Sequence, residues 1–253
     1  MKLARFWARA EGGAVGPNGR LDVVARGWSD ESVEAARVCA AGVAKGIAQR
    51  LISHPEDRNL YQYGDRPIPE PLIQQLDSSS VVTRNVYGAL VLNVDHLMFV
   101  DIDRDNALDS IRAVSERHGL SARVYRTAGG FRVMIPHARF APDSAESTTL
   151  MGEFRSDPLY MKLCLMHSSY RARLTPKPWR CGFRKPSVSF PYETQRDFAQ
   201  FQQWEAEYNQ YATRYATCKY ESTFGGVRIL PEFEGLIEYH DRETKANVAL
   251  PLA

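Results

Sequence analysis

An α+β fold built on a ferredoxin-like, RRM-like split βαβ core is predicted by three observations between residues 89 and 176. Two short β-rich apolar runs come first, at 89–94 and 97–103, the second almost continuously apolar as in a buried strand. A helical pattern follows over 106–118, with Leu108, Ile111, Val114 and Ser115 on one face and Gly119 just past its end. Two strand-like stretches, 123–126 and 131–135, are then joined by the glycine-bearing Thr127-Ala128-Gly129-Gly130. A helix over 144–167, interrupted near Asp157-Pro158, and an alternating strand at 170–174 complete the order strand, helix, strand, strand, helix, strand.

The flanks are read in the same way. Residues 1–80 form a mostly helical N-terminal region, 81–180 the core, and 181–253 a C-terminal extension packed on it. After an irregular Gly-rich start, an N-cap signal at 27–32 precedes a run with Val33, Ala36, Ala40, Val43, Ala44, Ile47 and Leu51 at helical spacing, predicting a helix to Ser53. The proline-bearing stretch 54–77 reads as a connector, with a short helix over 70–76. In the extension, 197–215 is a helix whose aromatics Phe198, Phe201, Trp204, Tyr208 and Tyr211 follow packing rather than base-stacking spacing, and short strands are expected at 227–230 and 236–240.

Composition narrows the class. With 253 residues, 44% hydrophobic and 25% charged, the chain is neither collagen-like nor disordered. No stretch reaches the ~20 apolar residues of a membrane span, and residues 1–12 lack the apolar region of a secretory signal, so no membrane partner and a cytoplasmic location are expected. Cys39, Cys164, Cys181 and Cys218 show neither zinc nor disulfide spacing, and His96, His118, His137 and His167 have no metal-ligand spacing. Charge is uneven: 158–192 holds no acid but carries Lys162, Arg171, Arg173, Lys177, Arg180, Arg184 and Lys185, seven positive charges in a chain whose net charge is only +2.

Three motifs can carry chemistry. In Phe99-Val100-Asp101-Ile102-Asp103 the two carboxylates sit at i and i+2, on one face of a strand, where they can jointly hold Mg²⁺ or Mn²⁺. The same acids also suit a solvated loop, with Asp105 capping the next helix. In Tyr125-Arg126-Thr127-Ala128-Gly129-Gly130-Phe131-Arg132, paired glycines expose amides to a phosphate between Arg126 and Arg132, or simply make a tight turn. In the stretch 170–180, Arg171 and Arg173 share a strand face, Lys177 and Arg180 follow a rigid turn, and Trp179 offers a stacking surface. Such a fork suits a triphosphate or a nucleic-acid backbone; the alternative is a solvated basic face.

These motifs, in this order and approximate spacing, resemble the catalytic core of the archaeo-eukaryotic primase, or primase-polymerase, superfamily. The resemblance covers about 90 residues and implies that Asp101 and Asp103 bind metal, that Thr127 and Gly130 form the small-residue turn, and that Arg171 and Arg173 contact nucleotide phosphates. Arg132 stands where the family places a nucleotide-contacting histidine, and His167-Ser168-Ser169-Tyr170 offers no acid where some members have a third carboxylate. Glu238 or Asp241, on the expected late strand, is the candidate replacement.

The implied function is a metal-dependent nucleotidyltransferase, a DNA or RNA primase or polymerase of replication. It would bind a nucleotide triphosphate through Arg126, Thr127, Gly129, Gly130, Arg132, Arg171, Arg173, Lys177 and Arg180, together with single-stranded DNA or RNA. With no GxxxxGK[ST] phosphate loop in the chain, a separate helicase is the implied partner. The alternative is a catalytically inactive nucleic-acid-binding module of the same fold. A phosphatase or nuclease using the same acids is less favoured, because no further nucleophile or base accompanies them.

Overall fold

The structure is a computed structural model that describes residues 1–59 and 66–253, so part of the expected connector, including Gly64, lies outside the described residues. The chain divides into two compact units, Lys2–Glu70 with Val188–Gln200, and Met1 with Pro71–Ser187 and Phe201–Ala253.

The first unit opens on two long strands, β1 (Phe6–Gly16) and β2 (Gly19–Ser29), paired antiparallel from Phe6↔Ser29 to Gly16↔Gly19. This corrects the expectation of an irregular start and a mostly helical region. The alternation is hard to see because the side chains turned toward the neighbouring helix are mostly small. That helix, α1 (Val33–Ser53), begins as expected, with the Ser32 hydroxyl accepting the Ala35 N–H at 3.0 Å, and it buries Ala36, Ala40, Ala44 and Ala48 at four-residue spacing. A Cβ at Gly27 would run into the backbone of Ala36 and Ala40, and one at Gly12 into the Ala41 carbonyl. Hairpin and helix therefore touch backbone to backbone through glycine and alanine. Later in the chain, Ser189 accepts from Arg9 Nη2 through its carbonyl oxygen at 2.6 Å and its hydroxyl at 2.7 Å, and Phe190 meets the Trp7 ring at 6.2 Å.

In chain order the second unit contains β3 (Leu72–Gln75), β4 (Ser80–Arg84), β5 (Leu90–Val94), β6 (Met98–Ile102), α2 (Leu108–Arg117), β7 (Ser121–Thr127) and β8 (Gly130–Ile135). Then come α3 (Ala145–Glu153), α4 (Pro158–His167), β9 (Tyr170–Arg173), α5 (Gln195–Ala212, of which Phe201 onward belongs to this unit), β10 (Cys218–Gly225) and α6 (Pro231–Thr244). The architecture is α+β with antiparallel sheets of order β10-β7-β8-β6 and β3-β4-β5-β9. The fourth strand of the expected core, β9, pairs with β5 and not with β6, so the expected elements are shared between two sheets.

β6 is the terminal strand of its sheet, yet Leu97, Met98, Phe99, Val100 and Ile102 are fully buried; the Tyr160 hydroxyl of α4 donates to the Phe99 carbonyl at 2.9 Å and accepts the Arg171 N–H of β9 at 3.4 Å, which covers the strand's free side. That arrangement explains a continuous apolar run on a strand with one hydrogen-bonded neighbour. Three further expectations are corrected. Residues 227–230 form no strand, and the late strand lies earlier, as β10. Residues 72–75 form a strand, not a helix, registered on β4. Residues 236–240 lie within α6, where Pro231 occupies the first turn and Phe233, Leu236, Ile237, His240 and Thr244 make one buried stripe at helical spacing. Among the described residues no helix is long and apolar enough to cross a membrane.

Candidate nucleotide and metal site

Asp101 occupies the last turn of pleat in β6, opposite Arg132 of β8, which in turn faces Tyr125 of β7. Strand alternation returns Asp103 to the same side just beyond the strand end. The Asp101 carbonyl accepts the Asp157 N–H at 2.9 Å and the Ser156 hydroxyl at 3.0 Å, which fastens this strand end to the start of α4. Asp157 caps α4 by accepting the Tyr160 N–H at 2.7 Å. Three carboxylates thus gather, and Asp157 is a member that the sequence disclosed only as a helix break. Burial, with the negative charges of Asp101 and Asp157, raises the Asp103 pKa against the pull of Lys177 and Arg180. Among the described residues no group of three or more His, Cys, Asp or Glu side chains is arranged to hold a metal ion.

Cations surround this pair. The Arg132 guanidinium is buried and donates from Nη1 to the Arg173 carbonyl at 3.0 Å and to His240 Nε2 at 3.1 Å. Arg173 projects from β9; burial and the neighbouring Arg132 and Arg180 push its pKa down to about 10, with Asp101 pulling the other way. Its Nε has no hydrogen-bond partner among the described residues. Burial, Arg173 and Arg180 also lower the Lys177 pKa, while Asp103 and Asp101 oppose the shift. Four basic side chains held this close repel one another, an arrangement that an anion relieves.

The double-glycine turn positions both sets. Gly130 has φ +149°, and a Cβ there would collide with the Ile102 carbonyl and the Arg104 backbone. A Cβ at Gly129 would come within 3.3 Å of both Asp103 Oδ1 and Arg180 Nη2. Glycine is therefore required so that the hairpin can lie on the end of β6, with Asp103 and Arg180 side by side above it. Replacing Gly130 with alanine is expected to cost about 2–3 kcal/mol, read as a lower urea midpoint with unchanged slope.

Other expected residues lie apart. Arg126 is in register with Phe131, on the sheet face opposite Arg132. It stacks 3.9 Å from the Phe131 ring centroid, donates to the Asp105 carbonyl at 3.1 Å and approaches Glu221, so it does not join the cluster. Thr127 serves the turn itself, its hydroxyl accepting the Gly129 N–H at 3.3 Å. Arg171 shares the β9 face with Arg173 but reaches toward His167 Nδ1 at 3.4 Å, at the flank of the cluster. Neither proposed third ligand arrives: Glu238 is exposed on α6, and Asp241 is held by Arg123 at 2.9 Å and by His240 at 2.9 Å.

His240 is the functional neighbour that sequence reasoning missed. Fully buried against Phe99 and Tyr125, it has its pKa driven down to about 4, chiefly by burial and further by Arg132 and Arg123, while Asp241 resists. A neutral ring satisfies both neighbours in one tautomer: Nδ1–H donates to Asp241 and Nε2 accepts from Arg132. Arg132, two residues past the turn, is thus steadied by a histidine from another element. No family model matches the chain, and no curated protein or solved structure matches it either.

Proposed function

We propose that the chain is a primase-polymerase-like nucleotidyltransferase that binds a nucleotide triphosphate and single-stranded nucleic acid with Mg²⁺ or Mn²⁺. The observation that carries this reading is the convergence of Arg132, Arg173, Lys177 and Arg180 on the Asp101–Asp103 pair. The carboxylates suit a hard divalent cation by their oxygen chemistry and their shared strand face, and Asp157 stands close enough to act on Asp103. Asp101 and Asp103 would hold the ion, which supplies charge neutralisation for a triphosphate and a more acidic attacking hydroxyl. Arg173, Lys177 and Arg180 bind and orient phosphate oxygens, and Arg132 fixes the backbone of Arg173 from behind. The path β6, α2, β7, with β8 between the two strands, supports a split βαβ, ferredoxin-like half as the scaffold.

A second reading, an inactive nucleic-acid-binding module, is favoured by one feature: Arg132 is tied to His240 and to the Arg173 carbonyl instead of standing open to a ligand. Incorporation of labelled nucleotides on primed and unprimed single-stranded templates, with Mn²⁺ or Mg²⁺, separates the two. Incorporation by the native chain that disappears in Asp101→Ala/Asp103→Ala is the expected result. Salt-sensitive strand binding without incorporation supports the inactive module.

A further inference from the structure

Beside the acid–base cluster the second unit exposes an aromatic pair that packing does not consume. Trp179 is 44% exposed and Tyr87 38%, and their rings meet edge to face with centroids 5.0 Å apart. Lys185 Nζ lies 5.0 Å from the Trp179 ring and 5.3 Å from that of Tyr87, and Lys177 Nζ lies 5.7 Å from Trp179. Both rings stand on stiff supports. Trp179 sits in a 3-10 turn, Pro178–Cys181, whose flanking Pro178 and Cys181 are buried. Tyr87 sits in a loop where Asn85 Oδ1 accepts the N–H groups of Tyr87 at 3.0 Å and Ala89 at 3.1 Å, and where Gly88 packs on the Trp204 ring.

The turn also explains how the pair joins the site. Residues three apart align in a 3-10 turn, so Lys177 and Arg180 lean together toward Asp103 while Trp179 faces outward. Partly exposed rings capped by lysine ammonium groups, with Trp179 and both lysines inside 35 residues free of acids, complement a chain that carries stacked bases on a phosphate backbone. An acidic peptide would match the charge but leave the ring faces unused.

We propose that Tyr87 and Trp179, with Lys185 and Lys177, form a stacking platform for single-stranded nucleic acid that leads into the Asp101–Asp103 cluster. Its orientation toward that cluster rests on the nucleotidyltransferase reading, whereas strand binding itself does not.

The test is fluorescence anisotropy of labelled oligothymidylate and oligouridylate in EDTA, with unlabelled mononucleotide and polyglutamate as competitors. Trp179→Ala is expected to weaken oligonucleotide binding by roughly tenfold or more, Tyr87→Ala by less, and Trp179→Phe to restore most of it. Lys185→Gln should flatten the slope of log K against log salt by about 0.7. The exposed position of Trp179 lets an unchanged melting temperature certify the fold of each variant. Native-like binding by both alanine variants overturns the platform, as does competition by mononucleotide or polyglutamate equal to that by the oligonucleotide. Trp179-dependent strand binding in a chain that never incorporates nucleotide leaves the platform standing and removes the nucleotidyltransferase. Incorporation with undiminished strand binding in Trp179→Ala removes the platform alone.

Discussion

Asp103→Asn is expected to be an inactive protein and a slightly more stable one. On the proposed nucleotidyltransferase reading, loss of one of the two carboxylates proposed to hold the metal should reduce metal-dependent incorporation by on the order of a thousandfold. Stability should move the other way, because the native carboxyl, though exposed, is partly desolvated and faces Asp101 and Asp157. Its pKa is raised in the fold, so the native state binds a proton more readily than the unfolded chain. The wild type therefore loses stability as pH rises from the ordinary carboxylate value of 3.8 through the raised folded value. Asparagine lacks that loss. The melting temperatures of wild type and variant should coincide at low pH and diverge above it, the variant melting higher. Asp103 is solvent-exposed, so screening keeps the gain below about 1 kcal/mol and salt shrinks it. Mn²⁺ should raise the melting temperature of the wild type and leave that of Asp103→Asn nearly unmoved. A fully active variant would remove Asp103 from the metal site.

The second large effect is an acid weakness centred on His240. Its folded pKa of about 4 lies below its ordinary 6.5, so the unfolded chain binds the proton first. Stability is whole above pH 6.5 and falls as pH drops toward 4, by about 3 kcal/mol in all. Protonation would abolish the Nε2 acceptor and set an imidazolium against Arg132 and Arg123, with Asp241 opposing them. His240→Gln preserves the donor to Asp241 and the acceptor for Arg132 without a titrating ring. Urea midpoints compared at pH 7.5 and 4.5 should therefore drop less in His240→Gln than in the wild type. Equal drops in the two proteins would assign the acid weakness elsewhere.

What could be read in advance, and what could not, follows from the range of the interactions. The helix of α2, the hairpin of β7 and β8 and the helix break at Asp157-Pro158 are local patterns of spacing, glycine and proline, and all three stand where the sequence puts them. β1 and β2 were hidden because Gly12, Gly27 and the α1 alanines replace large apolar side chains with close backbone approach, which carries no hydropathic signal. The short run 236–240 reads as a strand only when detached from Phe233 and Thr244, which complete its helical stripe. At the site, Asp101, Asp103, Arg173, Lys177 and Arg180 were visible as charges on strands and a turn. Asp157 and His240 were not, since their roles depend on a backbone hydrogen bond to Asp101 and on Arg132, partners set by tertiary packing alone.

The first unit is discontinuous in sequence, and this constrains any dissection of the protein. A fragment started at Pro71 would carry Val188–Gln200 as an orphaned strap, with Ser189 stripped of Arg9 and Phe190 stripped of Trp7. A fragment ended at Glu70 would lack the same strap. Neither cut yields an autonomous piece, so truncation experiments would report folding failure where they were meant to report function. Point substitutions in the intact chain, or a 71–253 fragment with 188–200 exchanged for a short Gly/Ser bridge, respect the way the polypeptide is shared out.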